Sequence, residues 1–134
     1  MTIEEIIDNF AFLDSWEDRY RYIIELGEKM PELPPPLHSD EWKVRGCQSQ
    51  VWLVPDKNPD GTLSFAGDSD ALIVKGLIAI VLSICNNQTP QAIAELDIGN
   101  IFDRLNLREH LSPSRRNGLE AMVEKIKSYA SALC

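Results

Sequence analysis

Cys47 stands in the stretch 44–52, VRGCQSQVW, between a glycine and an apolar run. Gly46 permits a tight loop, while Lys43 and Arg45 supply nearby positive charge of the kind that favours a thiolate. These features make the cysteine a candidate nucleophile. Free cysteines are mostly buried and inert, so the local features alone favour packing and leave reactivity open.

The two other cysteines are weaker candidates. Cys85 ends the apolar run 76–85, GLIAIVLSIC, where we expect core packing and a raised thiol pKa. Cys134 is the last residue of the sequence, and we expect it to be exposed, without rigid neighbours and without a clear role. An odd number of cysteines with no CxxC pair indicates neither a disulfide framework nor a zinc ribbon, and suits a reducing cytosol.

Two other kinds of site could use Cys47. A cysteine hydrolase would need His38 or His110 as its base and an acid such as Asp40 to orient it, but both histidines lie where solvated or capping roles are commoner. A metal site would need the three cysteines and two histidines to converge, and their spacing lacks the close pairs that such sites use. We therefore expect neither hydrolase nor metal chemistry.

Length and composition limit the class of protein. A chain of 134 residues with 44% hydrophobic residues fits one soluble domain, residues 1–134. A net charge of -8 argues against nucleic-acid binding. The acidic start MTIEEIIDNF does not resemble a secretory signal, and the longest apolar run has about half of the roughly 20 residues that span a bilayer. We expect a cytoplasmic protein.

Capping patterns and prolines divide the first half of the chain. Capping boxes at 2–5 and 14–17 predict two helices, the second reaching Pro31. Pro31 and the run 34–36 predict an irregular connector over 30–40, with a proline-rich recognition ligand as the alternative.

The second half predicts a hairpin followed by helices. Strands from Gln50 and over 62–67 flank the turn 58–61, NPDG. Asp68 to Asp70 would cap a central helix over 71–87, and two hydroxyl-proline pairs, at 89–90 and 112–113, would open later helices, the last reaching about Leu133. The fold class is α+β, with helices packed on a small antiparallel sheet.

Six blocks, in order, carry a resemblance that covers nearly the whole chain. They are WEDRY at 16–20, VRGCQSQVW at 44–52, GDSDA at 67–71, IVKGL at 73–77, LSPSR at 111–115 and GLEAM at 118–122. Together they closely resemble the SufE/CsdE family of sulfur-acceptor proteins.

The resemblance implies a fold similar to that of the iron–sulfur scaffold protein IscU. It implies that Cys47 accepts persulfide sulfur, that Asp70 lies near the sulfur loop and influences its mobility, and that Arg115 supports anions at the interface. The partner would be a SufS- or CsdA-like cysteine desulfurase, which holds the pyridoxal phosphate, so no cofactor or metal is expected in this chain. Sulfur would pass to a SufBCD-like scaffold for iron–sulfur cluster assembly.

Several alternatives stay open beside that implication. A CsdE-like protein would direct sulfur to tRNA or another thiolated product, and an interaction module would activate the desulfurase allosterically without carrying sulfur. Judged from the residues alone, Asp70 is an ordinary helix cap and Arg115 an ordinary helix-start arginine. Homodimerisation is a further option. In every case the protein is expected to act as a partner in sulfur transfer and not as a stand-alone enzyme.

Overall fold

The computed structural model describes residues 2–133 of the chain. Within these residues two α-helices precede a hairpin of two strands, and four α-helices follow it. Within the described range the elements are α1 (Ile3–Phe12), α2 (Trp16–Glu28), β1 (Val51–Lys57), β2 (Leu63–Ser69), α3 (Leu72–Cys85), α4 (Pro90–Glu95), α5 (Ile98–Arg104) and α6 (Pro113–Ala132), with 3-10 turns at Pro35–Leu37 and Arg108–His110.

Side-chain caps fix the starts of the first two helices. The Thr2 hydroxyl accepts a hydrogen bond from the Glu5 N–H, as predicted for α1. In α2 the cap is Ser15, which accepts from the Asp18 N–H. The predicted box at 14–17 is therefore displaced by one residue, because the serine hydroxyl occupies the capping position.

Caps also begin the three helices nearest the end of the chain. Thr89 and Ser112 each accept from a backbone N–H and are followed by a proline at the first helical position, which confirms the predicted starts of α4 and α6. Helix α5 was not predicted from the sequence. Asp97 caps it by accepting from the Asn100 N–H, and seven residues are too few to show a clear helical periodicity.

The sheet is an antiparallel pair of strands in the register Val51↔Ser69 to Lys57↔Leu63. Gly61 adopts φ +89° in the connecting turn, a conformation that glycine reaches without strain. Strand β2 runs past the predicted end at residue 67 as far as Ser69, because residues 68 and 69 continue the ladder with β1. The predicted hairpin is confirmed, with a longer second strand.

Helix α3 is the centre of the core. It packs against α2, β2, α6 and α1, and its buried residues include Ile78 and Ile80, both with no exposed area. The helix ends two residues before the predicted position 87, because the Asn87 N–H and the Gln88 carbonyl pair with the backbone of Leu63. Helices on a two-stranded antiparallel sheet confirm the α+β class.

Candidate functional site

The loop 45–50, which we call the cysteine loop, carries Cys47 between two paired positions. The Val44 N–H donates to the Val51 carbonyl over 2.8 Å and closes the loop at its base. Gly46 adopts φ +88°, so the tight entry into the loop that the glycine predicts is confirmed. Backbone hydrogen bonding holds the base of the loop, and Cys47 lies within the loop beyond that base.

The Cys47 side chain is half-buried and packs against α6. Its Sγ lies 3.6 Å from the carbonyl oxygen of Gly118, to which the thiol can donate. A Cβ added at Gly118 would lie 3.6 Å from the same sulfur, which is ordinary contact. A side chain larger than that of alanine at residue 118 would therefore overlap the docked Cys47 thiol.

Burial raises the pKa of the Cys47 thiol. The expectation that Lys43 and Arg45 favour a thiolate is therefore wrong for the docked state, in which loss of solvent outweighs charges close in sequence. Docking favours the protonated thiol. The docked contact stabilises the closed loop at pH values below the pKa of the free thiol, and this stabilisation is lost as the pH rises through the raised pKa of the docked thiol. Reaction as a thiolate requires the loop to open.

Asp70 holds the far end of the cysteine loop. Its Oδ1 accepts from the Gln50 N–H over 3.0 Å, and its own N–H donates to the Gln50 carbonyl over 3.3 Å. The expectation that it caps α3 is wrong, because the N-cap residue is Ala71 and that position has no side-chain cap. Since β2 continues to Ser69 opposite Val51, Asp70 faces the loop instead.

We expect Asp70→Ala to speed the alkylation of Cys47 by iodoacetamide. The substitution removes one backbone-to-carboxylate hydrogen bond, which contributes about 0.5–1.5 kcal/mol, so the rate should rise about 2- to 10-fold. The measurement is the pseudo-first-order rate in a Cys134→Ser background. Asp70→Asn is the matched control, because its amide oxygen still accepts from Gln50; equal rates in the wild type and Asp70→Ala would contradict this tethering role.

Arg115 and Cys47 line the same cavity, which has a volume of about 350 Å³ and lies between the cysteine loop, α3 and the first turns of α6. Arg115 is half-buried, and within residues 2–133 no carboxylate pairs with its guanidinium. Its permanent charge is therefore available to an anion. The other lining residues are Gln48, Ser49, Val74, Leu77, Ser112, Ser114, Gly118, Leu119 and Met122.

The two histidines lie elsewhere. His38 Nε2 is 2.7 Å from Asp68 Oδ2, so its acidic partner is Asp68 and not the predicted Asp40. His110 stacks on the Trp16 ring at 3.9 Å between centroids. Among the described residues that line the cavity there is no histidine. Within residues 2–133 the cavity lining therefore offers Cys47 no imidazole base.

Cys85 has no exposed area, and burial raises its pKa to about 12, which confirms the predicted core packing. Cys134 lies outside the described residues, so its predicted exposure is untested. Residues 2–133 contain no group of three or more His, Cys, Asp or Glu side chains that could hold a metal ion.

Sequence reasoning did not identify two contacts of the site. Gly118 supplies the carbonyl that faces the thiol, and Tyr20 supplies a ring 5.9 Å from the Arg115 guanidinium carbon. The only signals for them were their places in the blocks GLEAM and WEDRY.

Fold and site together define a small α+β protein built around one sheltered thiol on a tethered loop. A family model described as "SufE: Fe-S metabolism associated domain" matches residues 4–130. The chain therefore belongs to the SufE family. Membership supports a sulfur-acceptor role in general, and proteins with this domain generally work with cysteine desulfurases.

Relatives agree with this assignment. The chain is 51% identical over 132 residues to an uncharacterised SufE-like protein of Rhizobium meliloti (strain 1021), covering 96% of this chain and 94% of that protein. It is 50% identical over 132 residues to an uncharacterised SufE-like protein of Rhizobium etli, covering 96% and 89%.

A solved structure has the same fold. The solution structure of a hypothetical protein from Thermus thermophilus superposes with a TM-score of 0.78 at 22% identity, covering 99% of this chain and 98% of that one. None of the helices within residues 2–133 has the length and apolar character needed to cross a membrane.

Proposed function

We propose that Cys47 accepts sulfur from the persulfide of a pyridoxal-phosphate cysteine desulfurase and relays it toward iron–sulfur cluster assembly. The observation that carries the proposal is the cavity beside the tethered cysteine loop, which is lined by half-buried Cys47 and by Arg115, an arginine with no carboxylate partner among residues 2–133. Residues 1–134 then form one sulfur-acceptor domain. The pyridoxal phosphate belongs to the desulfurase, and this chain needs no cofactor of its own.

The reaction is a thiol–disulfide type of exchange. The Cys47 thiolate attacks the outer sulfur of the desulfurase persulfide, and a new S–S bond forms at Cys47. The S–S bond of the desulfurase breaks, and its cysteine leaves as a thiolate with the bonding electron pair and takes up the proton that Cys47 lost. No external oxidant or reductant is needed, because the sulfur moves between two equivalent bonds.

The cysteine loop can both shield Cys47 from solvent and expose it to the desulfurase. Docking against Gly118 keeps the thiol protonated and partly out of solvent, which slows oxidation and loss of a carried sulfur. The base of the loop remains held at Val44–Val51 when the weak thiol contact and the Gln50–Asp70 tether at the far end break. Opening on the desulfurase then exposes Cys47 and lets it ionise.

Arg115 acts as the fixed cation of the cavity in this proposal. It favours the anionic forms of the reacting thiol and persulfide, and it lies at the surface that the desulfurase would cover. The next acceptor is a SufBCD-like scaffold in the cytoplasm. Whether the free protein waits as a monomer or a homodimer does not alter the chemistry at Cys47.

The direct test mixes the protein with a cysteine desulfurase and free cysteine, then reads the intact mass and a peptide map. We expect the mass of one added sulfur atom on the peptide that contains Cys47, removable by a thiol reductant. Absence of sulfur at Cys47 while the desulfurase turns over would contradict the proposal. Delivery of that sulfur to a thiolated tRNA instead of a cluster scaffold would place the chain in the CsdE-like branch.

A further inference from the structure

The guanidinium of Arg115 has one aromatic neighbour among the described residues. Its guanidinium carbon lies 5.9 Å from the centroid of the Tyr20 ring, within the range of a cation–π interaction. Within residues 2–133 the Tyr20 hydroxyl has no hydrogen-bond partner, and the side chain is 36% exposed. The ring face is thus the part of Tyr20 that interacts with the site.

Helix α2, which carries Tyr20, makes further contacts one turn earlier. Trp16 precedes Tyr20 by four residues and so lies on the same helix face. It stacks on His110 with ring centroids 3.9 Å apart and planes at 18°. Arg19 also lies over the Trp16 ring, with its guanidinium carbon 5.5 Å from the centroid, and donates to the Leu13 carbonyl. This face of α2 is therefore fixed against the segment that leads into α6.

We infer that Tyr20 is a positioning residue that orients the Arg115 guanidinium over the Cys47 cavity. The inference rests on the proposed function, in which the oriented Arg115 cation favours the anionic forms of the thiol and the persulfide. Without the ring, the arginine side chain has no other fixed partner among the described residues, and its rotamers would carry the charge away from the cavity. Tyr20 contacts no reacting atom and acts only through Arg115.

The test compares two alkylating reagents on Cys47, anionic iodoacetate and neutral iodoacetamide, in a Cys134→Ser background. A cation oriented over the cavity raises the rate with iodoacetate relative to iodoacetamide. Loop opening and ionisation of the thiol affect both reagents alike and cancel in the ratio of the two rates. Tyr20→Leu keeps apolar bulk but removes the ring. We expect it to lower the iodoacetate-to-iodoacetamide rate ratio about 2- to 5-fold, the effect of losing an exposed cation–π contact.

Matched variants separate this role from a structural one. Tyr20→Phe keeps the ring and should restore the ratio, because the hydroxyl has no partner among the described residues. Arg115→Ala should lower the ratio at least as far as Tyr20→Leu does, and adding Tyr20→Leu to Arg115→Ala should have no further effect. Arg116→Ala removes an equal charge outside the cavity lining, and Phe12→Leu removes an aromatic ring that is 83% exposed; both should leave the ratio unchanged.

Three results would overturn the inference: an unchanged ratio in Tyr20→Leu, an equal loss in Tyr20→Phe, or a further loss when Tyr20→Leu is added to Arg115→Ala. The alkylation assay uses no desulfurase, so its outcome is independent of the sulfur-transfer assay. If the reagents behave as expected while Cys47 accepts no sulfur, the proposed function fails and the positioning role of Tyr20 stands.

Discussion

Cys47→Ser is expected to abolish sulfur acceptance while the fold is retained. A serine hydroxyl stays protonated at neutral pH and is a weak nucleophile without an adjacent base, and no histidine lines this cavity among the described residues. The side chain is half-buried at a loop, so exchanging sulfur for oxygen removes little packing. Intact mass after incubation with a desulfurase and cysteine should show no added sulfur on the variant.

The rate of desulfurase turnover in the same mixture separates sulfur carriage from allostery. If the chain stimulates turnover by accepting sulfur, Cys47→Ser should reduce the rate to that of the desulfurase alone. Stimulation that survives the substitution would instead favour a purely allosteric module. Cys134→Ser is the matched control and should accept sulfur as the wild type does; Cys85 is unsuitable for this purpose because it is fully buried in the core.

The residues of the candidate site could be named from the sequence, but their contacts could not. Cys47 was distinguished by the neighbouring Gly46 and by the resemblance, and the left-handed conformation of the glycine follows directly from its chemistry. The contact of the thiol with Gly118 joins residues 71 positions apart. No local pattern encodes such a pairing, because it depends on how α6 packs beside the cysteine loop.

Local propensity also explains what was right and wrong about Asp70. Asp followed by an apolar helical run is a strong capping pattern, and it predicted a helix start that the structure places close by, at Leu72. The ladder between β1 and β2 determined the outcome: pairing of Ser69 with Val51 turns the next carboxylate toward Gln50. Tertiary pairing thus converted a predicted cap into a tether of the loop.

Gly76→Ala is expected to be severely destabilising. Helices α2 and α3 cross with their backbones in contact, and a Cβ at residue 76 would overlap the carbonyl oxygen of Ile23. Gly27 makes the reciprocal contact, since its added Cβ would lie 2.6 Å from the Gly76 nitrogen. Backbone atoms of two packed helices cannot move aside as a side chain can, so we expect a loss of about 3 kcal/mol or more in the free energy of unfolding.

Thermal unfolding followed by circular dichroism measures this effect, with an expected fall in Tm of about 10 °C or more for a chain of this size. Gly99→Ala is the matched control. It makes the same change in helix α5, where the added Cβ meets the end of the flexible Arg108 side chain and alanine has the higher helix propensity. Its stability should be equal to or slightly above that of the wild type. Equal stability of Gly76→Ala and Gly99→Ala would contradict the close crossing of α2 and α3, and with it the framework that places α3 beneath the cysteine loop.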